Sequence, residues 1–328
     1  MGTDFLAGEP HFLAHLAPIW HALPLEARGR FVVTPELVAA ARARSIAPSL
    51  ARGAGSHVLV AGYGDLRRAR LGGWSHIARA EHGAGQSYGG SPSSARHPSY
   101  PGGSDHADVE LFLAPNEYAA ARWRAAYPGV CVSVIGSPKV DRLPVRAGGP
   151  GPVVAFSWHF DCRVAPETRP AVQHFIGALP ALAERYRLLG HAHPRYAQLA
   201  AWYRGRNIEI AADFDDVAAR ADLYVADNTS TLFEFAATGR PVVLLNAPGY
   251  RRNVEHGGRF WAWASIGMQC DHPADLASAI AWALDDPPAQ RLERERVVDV
   301  IYPNRGRSAE LAARALVDWA GAREEAAA

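Results

Sequence analysis

The chain has few of the residues that staple a protein, spread charge over it or anchor it in lipid. Lysine is nearly absent: of 34 basic residues only Lys139 is a lysine. With the richness in Ala, Arg, Gly and Pro, this points to GC-rich coding and not to chemistry. Cysteine is scarce too. Cys131, Cys162 and Cys270 are far apart and odd in number, which excludes a disulfide framework and a CxxC site. The expectation is a reducing cytoplasm, with the thiols serving as small buried apolar groups. No charge excess of either sign exists. The 34 Lys and Arg meet 33 Asp and Glu, for a net charge of +1, so no broad attraction to nucleic acid or acidic membranes follows. No run approaches the ~18 apolar residues of a membrane span. The first residues lack the basic-then-apolar form of a signal peptide. A cytoplasmic protein is expected, with the membrane surface as its one peripheral alternative. GxGxxG, Walker A and GxSxG patterns are missing, which removes support for dinucleotide, P-loop and hydrolase-elbow chemistry.

What is present is a chain of 328 residues, 48% hydrophobic and 20% charged, the size and composition of two globular domains. Residues 147–152, AGGPGP, form the one compact Gly/Pro cluster between structured patterns. They are read as a linker between domains 1–146 and 153–328, with the last helix free to return to the first domain. The second half alternates strand and helix. Strands are expected at 153–157, 187–193, 207–211, 223–226 and 242–245. Helices are expected at 168–186 (interrupted near Pro180), 195–204, 214–220, 274–286 and 308–323. The first half offers strands at 31–35, 57–62, 76–82, 111–115 and 130–138. It also has an amphipathic helix at 11–23 carrying Phe12, Leu16, Ile19, Trp20 and Leu23 on one side. Such βαβ alternation predicts an α/β fold with two Rossmann-like, doubly wound parallel sheets. Segment 83–106, rich in Gly, Ser and Pro, reads as a long functional loop.

Three clusters fall where predicted strands end, the edge at which open α/β sheets bind ligands. The first is Glu81-His82-Gly83. An imidazole beside glycines suits proton abstraction from a hydroxyl. The second is Gly190-His191-Ala192-His193-Pro194. Pro194 forces His193 extended, which would aim its ring outward to donate to a phosphate. The His pair lacks a third ligand of sensible spacing, so no metal site is expected. The third is Asp227-Asn228-Thr229-Ser230-Thr231, at the start of a helix carrying Glu234. Backbone N–H groups, hydroxyls and the helix dipole there could hold phosphate, and Glu234 could reach ribose; an ordinary capped helix is the plain alternative. Weaker pieces are Ser157-Trp158-His159 and the arginines Arg251, Arg252 and Arg259, any of which could pair with a diphosphate.

Taken in order, these motifs resemble the CDP-glycerol glycerophosphotransferases that build teichoic-acid-type polymers. Gly-His-Ala-His-Pro is similar to that family's HP motif. The 221–236 stretch resembles its "sD-x-x-I-T-D-Y-S-S-x-x-F-[DE]-x-A" segment, and Gly-Arg-Pro-Val-Val-Leu-Leu its continuation. Ser157-Trp158-His159 resembles "PTWR". Gly136-Ser137-Pro138-Lys139-Val140-Asp141 resembles "G-x-P-R-x-D", and Asn304 to Ala309 the terminal "DG-x-as". The matches span roughly 55–320. Glu81-His82-Gly83 resembles "x-H-G-T-P", with Ala84-Gly85 in place of Thr-Pro; the chain also departs from the pattern at Asn228 and His159, and it lacks a lysine-rich acceptor region.

The resemblance implies a GT-B fold, two Rossmann-like domains facing a central crevice, with the donor nucleotide mainly on the second. It implies metal-independent transfer of a glycerophosphate or a sugar or polyol group from a cytidine-activated donor to an acceptor hydroxyl. By position, His82 would be the general base with Glu81 beside it. His193, Thr229, Ser230, Thr231 and Arg259 would hold donor phosphates. Glu234, Ser157, His159 and Gly136 would line the nucleotide. No cofactor or metal is implied; the partners are a CDP- or CMP-linked donor and a hydroxyl acceptor, including a membrane-surface or polymeric one. Bacterial sialyltransferases and Kdo transferases pair similar motifs with CMP-sugars. A UDP-sugar glycosyltransferase, including one acting on a hydroxymethylated nucleic-acid base, is an alternative. So is a UDP-N-acetylglucosamine 2-epimerase-like isomerase, whose "H-x-E-A-G" and "S-G-G-x-x-E-E" are partly echoed at 81–85 and 229–234.

Overall fold

The computed structural model describes residues 2–84, 106–161, 166–250 and 262–327. The chain forms two compact units. Among the described residues, one combines those up to Arg142 with those from Ile301 onward, and the other is built from Leu143–Val300. The linker stretch stays with the second unit, where Ala147 N–H donates to the Ala219 carbonyl at 2.8 Å.

The first unit holds strands β1 (Thr3–Ala7), β2 (Arg28–Val33), β3 (Pro48–Ser49), β4 (His57–Val60), β5 (His76–Ala80), β6 (Val109–Ala114) and β7 (Cys131–Val134). They lie in the order β3-β2-β1-β4-β5-β6-β7, every pair parallel. The interior strand β1 escapes the sequence reading because Gly2, Asp4, Gly8 and Pro10 read as loop punctuation. Burial overrides that composition. The Asp4 carboxylate accepts the N–H groups of Arg30 (2.6 Å) and Gly53 (2.7 Å) and the Trp74 indole (3.0 Å), so the buried charge is satisfied. One sheet face packs under the Pro10–Ala22 and Ser308–Ala327 helices, with Phe5, Leu16, Ile19, Leu316 and Trp319 in one core. The other covers Val58, Val60, Leu66, Phe112 and Trp123. The helices there, Tyr63–Gly72 and Glu117–Ala126, were not anticipated.

The second unit holds β8 (Val153–Trp158), β9 (Arg187–Ala192), β10 (Glu209–Ile210), β11 (Leu223–Ala226), β12 (Val242–Leu245) and β13 (Met268–Cys270). Their order is β10-β9-β8-β11-β12-β13, again all parallel. The near-continuous apolar runs of β8, β11 and β12 are buried throughout, as strands covered on both faces must be. Gly190 in β9 is a packing glycine: a Cβ there would lie 2.5 Å from the Tyr203 ring. The Pro288–Ile301 helix, also unanticipated, is tied down by Arg294. Its guanidinium bonds the Asp286 carboxylate at 2.9 and 3.1 Å and the Gly239 carbonyl at 2.7 Å.

In both units the strand order reverses once, between β1 and β4 and between β8 and β11. Loops leaving adjacent strands there diverge to opposite faces and open a cleft at the carboxyl edge. Among the described residues no helix is long and apolar enough to cross a membrane. Of the thiols, Cys270 is buried as expected, but Cys131 is exposed because it opens the edge strand β7.

Candidate functional site

In the first unit, His82 sits at the reversal point. Its Nδ1 donates to the Ala61 carbonyl, just past β4, at 3.0 Å. A carbonyl only accepts, so the neutral ring carries its proton on Nδ1 and its basic nitrogen is Nε2. Gly83 follows with φ +137, a conformation open to glycine and costly for other residues. Asn116 fixes the next residue, its amide donating to the Ala84 carbonyl at 3.1 Å while its oxygen caps the Glu117–Ala126 helix. The wall around His82 comes from the helix after β1. Phe12 lies edge-on at 4.9 Å between ring centroids, His11 at 5.9 Å and His15 at 6.1 Å. His15 is held well below the usual imidazole range by burial first, then by Lys139, His82 and His11.

Glu81 does not join His82. Successive residues leave a strand on opposite faces, and the Glu81 carboxylate accepts the Trp123 indole at 2.9 Å on the far side of the sheet.

In the second unit three of the expected residues, Ser157, Thr229 and Thr231, lie along one set of hydrogen bonds. Ser157 Oγ lies 3.1 Å from His191 Nδ1, which lies 3.1 Å from the Tyr224 hydroxyl. Tyr224 in turn bonds Thr231 Oγ1 at 2.8 Å, and Thr231 bonds Thr229 Oγ1 at 3.0 Å. One hydrogen-bonded chain thus links the ends of β8, β9 and β11. Tyr224 and His191 were not among the predicted site residues. Tyr224 reads as one more apolar position of a buried strand, and His193 drew the attention because of Pro194. Burial raises the Tyr224 phenol far above its ordinary value, so it is a neutral donor. Ser230 makes no side-chain cap bond to the Thr231–Ala236 helix.

Beneath the chain lies Asp227, fully buried. It accepts the His159 N–H at 2.7 Å and the Ala171 N–H at 2.8 Å. Desolvation pushes its carboxyl up to about 7 against those bonds. Asp227 therefore sets the path of the loop after β8 and with it the His159 ring.

His193 stands just beyond β9 with its ring 4.6 Å from Phe160. The Arg195 N–H donates to its Nδ1 at 3.1 Å, so the neutral ring carries its proton on Nε2, the tautomer that donates. Glu234 is 1% exposed and lies near enough to Tyr224 to act on its phenol. Gly136 lies in the first unit. It has φ +89, and a Cβ there would meet the Ser308 hydroxyl at 2.5 Å, so its position is accounted for by packing. Two motifs of the resemblance dock on each other here: Asp141 accepts from Gly306 N–H, Ser308 Oγ and Ala309 N–H at 2.8, 2.8 and 3.0 Å. Arg259, with Arg251, Arg252, Cys162 and most of 83–106, lies outside the described residues.

No protein-family model and no curated protein matches the chain. Solved structures match its fold. An S. aureus MnaA co-structure with UDP is 16% identical with a TM-score of 0.65, covering 94% of both chains. A Neisseria meningitidis UDP-GlcNAc 2-epimerase bound to UDP-GlcNAc is 11% identical with a TM-score of 0.62, over 97% of this chain and 99% of that one. The wall teichoic acid polymerase TagF with CDPG is 10% identical with a TM-score of 0.60, over 98% and 90%. At these identities the likeness is one of fold. The chain has the two-domain, Rossmann-like GT-B fold.

Proposed function

We propose that the chain is a GT-B transferase. It moves a glycerophosphate or a sugar or polyol group from a cytidine-activated donor to an acceptor hydroxyl, with His82 as general base and no metal. One observation carries the reading: the neutral His82 ring, held by Ala61, has its basic nitrogen at Nε2. Abstraction of a hydroxyl proton by such a ring strengthens the oxygen nucleophile as it attacks the donor. The leaving nucleotide gains negative charge. The Thr229, Ser230 and Thr231 hydroxyls and the Nε2–H of His193 are donors suited to that charge. Arg259 would add charge pairing, and Ser157, His159 and Glu234 would border the nucleoside. The similarity to TagF with CDPG supports a cytidine donor.

A second reading is an epimerase-like isomerase acting on a UDP-sugar. It is favoured by the UDP-GlcNAc 2-epimerases among the similar structures. The divergence of Glu81 from His82 removes the one carboxylate that the sequence pairs with that imidazole, which weighs toward transfer.

Calorimetry with CMP, CDP, UDP, ADP and GDP, each with EDTA and with Mg²⁺, separates them. Binding confined to cytidine nucleotides and indifferent to EDTA supports the transferase. A preference for UDP, with product formed from UDP-sugar alone, establishes the isomerase. Binding of none removes both.

A further inference from the structure

We propose that Ser157, His191 and Tyr224 are positioning residues for the Thr229 and Thr231 hydroxyls: Ser157 occupies the lone pair of His191 Nδ1, and the Tyr224 phenol proton is thereby sent toward the threonines. This rests on the reading of residues 229–231 as holding donor phosphate.

The sheet register brings the three together. Ser157 on β8 lies opposite His191 on β9. Tyr224 on β11 lies opposite Ala155, two residues before Ser157 and so on the same sheet face. The branch point is a single nitrogen: His191 Nδ1 has the Ser157 and Tyr224 hydroxyls at the same distance, 3.1 Å. A ring nitrogen of a neutral imidazole carries either one lone pair or one proton, so it completes one such bond at a time. Tyr224 has the matching constraint. Its hydroxyl stands between His191 Nδ1 and Thr231 Oγ1, the latter at 2.8 Å, with one proton for the two. Thr231 stands likewise between Tyr224 and Thr229, the latter at 3.0 Å.

With Nδ1 as acceptor, counting protons along this row leaves two arrangements. If Tyr224 donates to Nδ1, Thr231 donates to Tyr224 and Thr229 to Thr231. Both threonine protons are then spent inside the row, and the threonines turn only lone pairs outward, which repel an anion. If Ser157 donates to Nδ1, Tyr224 donates to Thr231 and Thr231 to Thr229. The Thr229 proton is then left over for a phosphate oxygen. The outward row is the one that can stabilise the charge of a leaving nucleotide. Ser157 and Tyr224 are 3% and 0% exposed, so bulk water has little access to the branch point and the protein's own groups decide the direction. Ser157 thus acts on the phosphate through three intervening side chains, and its effect depends on Tyr224.

Ring-nitrogen NMR of the full chain labelled at histidine, at about pH 8.5 where an ordinary imidazole is neutral, reads the branch point without ligand. His191→Gln assigns the resonance. The parent should show an unprotonated, hydrogen-bonded Nδ1. Ser157→Ala and Tyr224→Phe should each leave it bonded to the hydroxyl that remains, and the double variant should free it. Calorimetry with inorganic pyrophosphate and with CDP reads the consequence, with circular dichroism as the check on folding. Ser157→Ala should weaken binding about fivefold, and Ser157→Thr, which keeps the hydroxyl, should restore it. In a Tyr224→Phe background Ser157→Ala should cost nothing more, because the row is already cut. An equal loss in both backgrounds means that Ser157 touches the ligand itself and overturns the proposal, as does a proton on Nδ1 in the parent. A parent that binds neither ligand removes the phosphate site and the proposal with it. A parent that binds, with a folded Ser157→Ala that binds equally well, removes the proposal alone.

Discussion

The carboxyl edges of the two sheets share a geometry and differ in chemistry. Among the described residues, the side chains at the β1/β4 reversal are imidazoles set against Phe12, and His82 is anchored to a backbone carbonyl. At the β8/β11 reversal a continuous chain of Ser157, His191, Tyr224, Thr231 and Thr229 runs across three strand ends over a buried carboxyl. The first edge presents a nitrogen base, which suits taking up a proton. The second edge has many donors already ordered among themselves, which suits receiving an anion without reorganisation. The same parallel-sheet rule opens both clefts; the residues in the loops set what each can do.

Mutations can break or sharpen this contrast. The largest expected effect is on the first edge. His82→Ala should lower turnover of the cytidine-linked donor by about 10²- to 10⁴-fold, with nucleotide affinity unchanged; equal losses in both would dissolve the division of labour. Next is Gly190→Ala, which forces a methyl into the Tyr203 ring. It should destabilise the second unit by about 1–3 kcal/mol, read as a lower urea midpoint.

Tyr224→Phe removes the middle of the hydroxyl chain. It should weaken nucleotide binding by about 1 kcal/mol, or roughly fivefold, measured by calorimetry with His82 intact.

Asp227 sharpens the comparison through pH. Its folded-state carboxyl is raised to about 7 from an ordinary value of 3.8. Its contribution to stability is therefore complete below about pH 4 and is lost as the pH rises through about 7. Comparing thermal midpoints of the parent and Asp227→Asn at pH 4, 5.5 and 7 should show the parent losing ground across that window. A constant difference would mean that Asp227 does not titrate there.

The smallest effect belongs to Glu81→Gln. The carboxylate is on the Trp123 side of the sheet, so turnover should change by less than about twofold. A loss approaching that of His82→Ala would return Glu81 to the catalytic group.

Most strands of the second unit were legible because buried parallel strands are apolar runs bounded by Gly, Pro and Asp, as LYVA and VVLL show. The interior strand β1 was not, since its Asp4 is stabilised by Arg30, Gly53 and Trp74, from 26 to 70 residues away. The placement of His82, His193 and the 229–231 hydroxyls at strand ends could be read from the order of strand and turn signals. The partners of His82 could not. His11 and His15 look like polar breaks in an amphipathic helix.

Sequence by itself determined the α/β class, the strand ends and the residue types available at them, because periodicity and turn chemistry act over a few neighbouring residues. Only the tertiary structure decided that Glu81 and His82 part, that Tyr224 and His191 join the hydroxyls, and that His11 and His15 gather around His82. Those outcomes depend on which sheet face a residue meets and on which distant strand lies next to its own, and both are fixed by long-range packing.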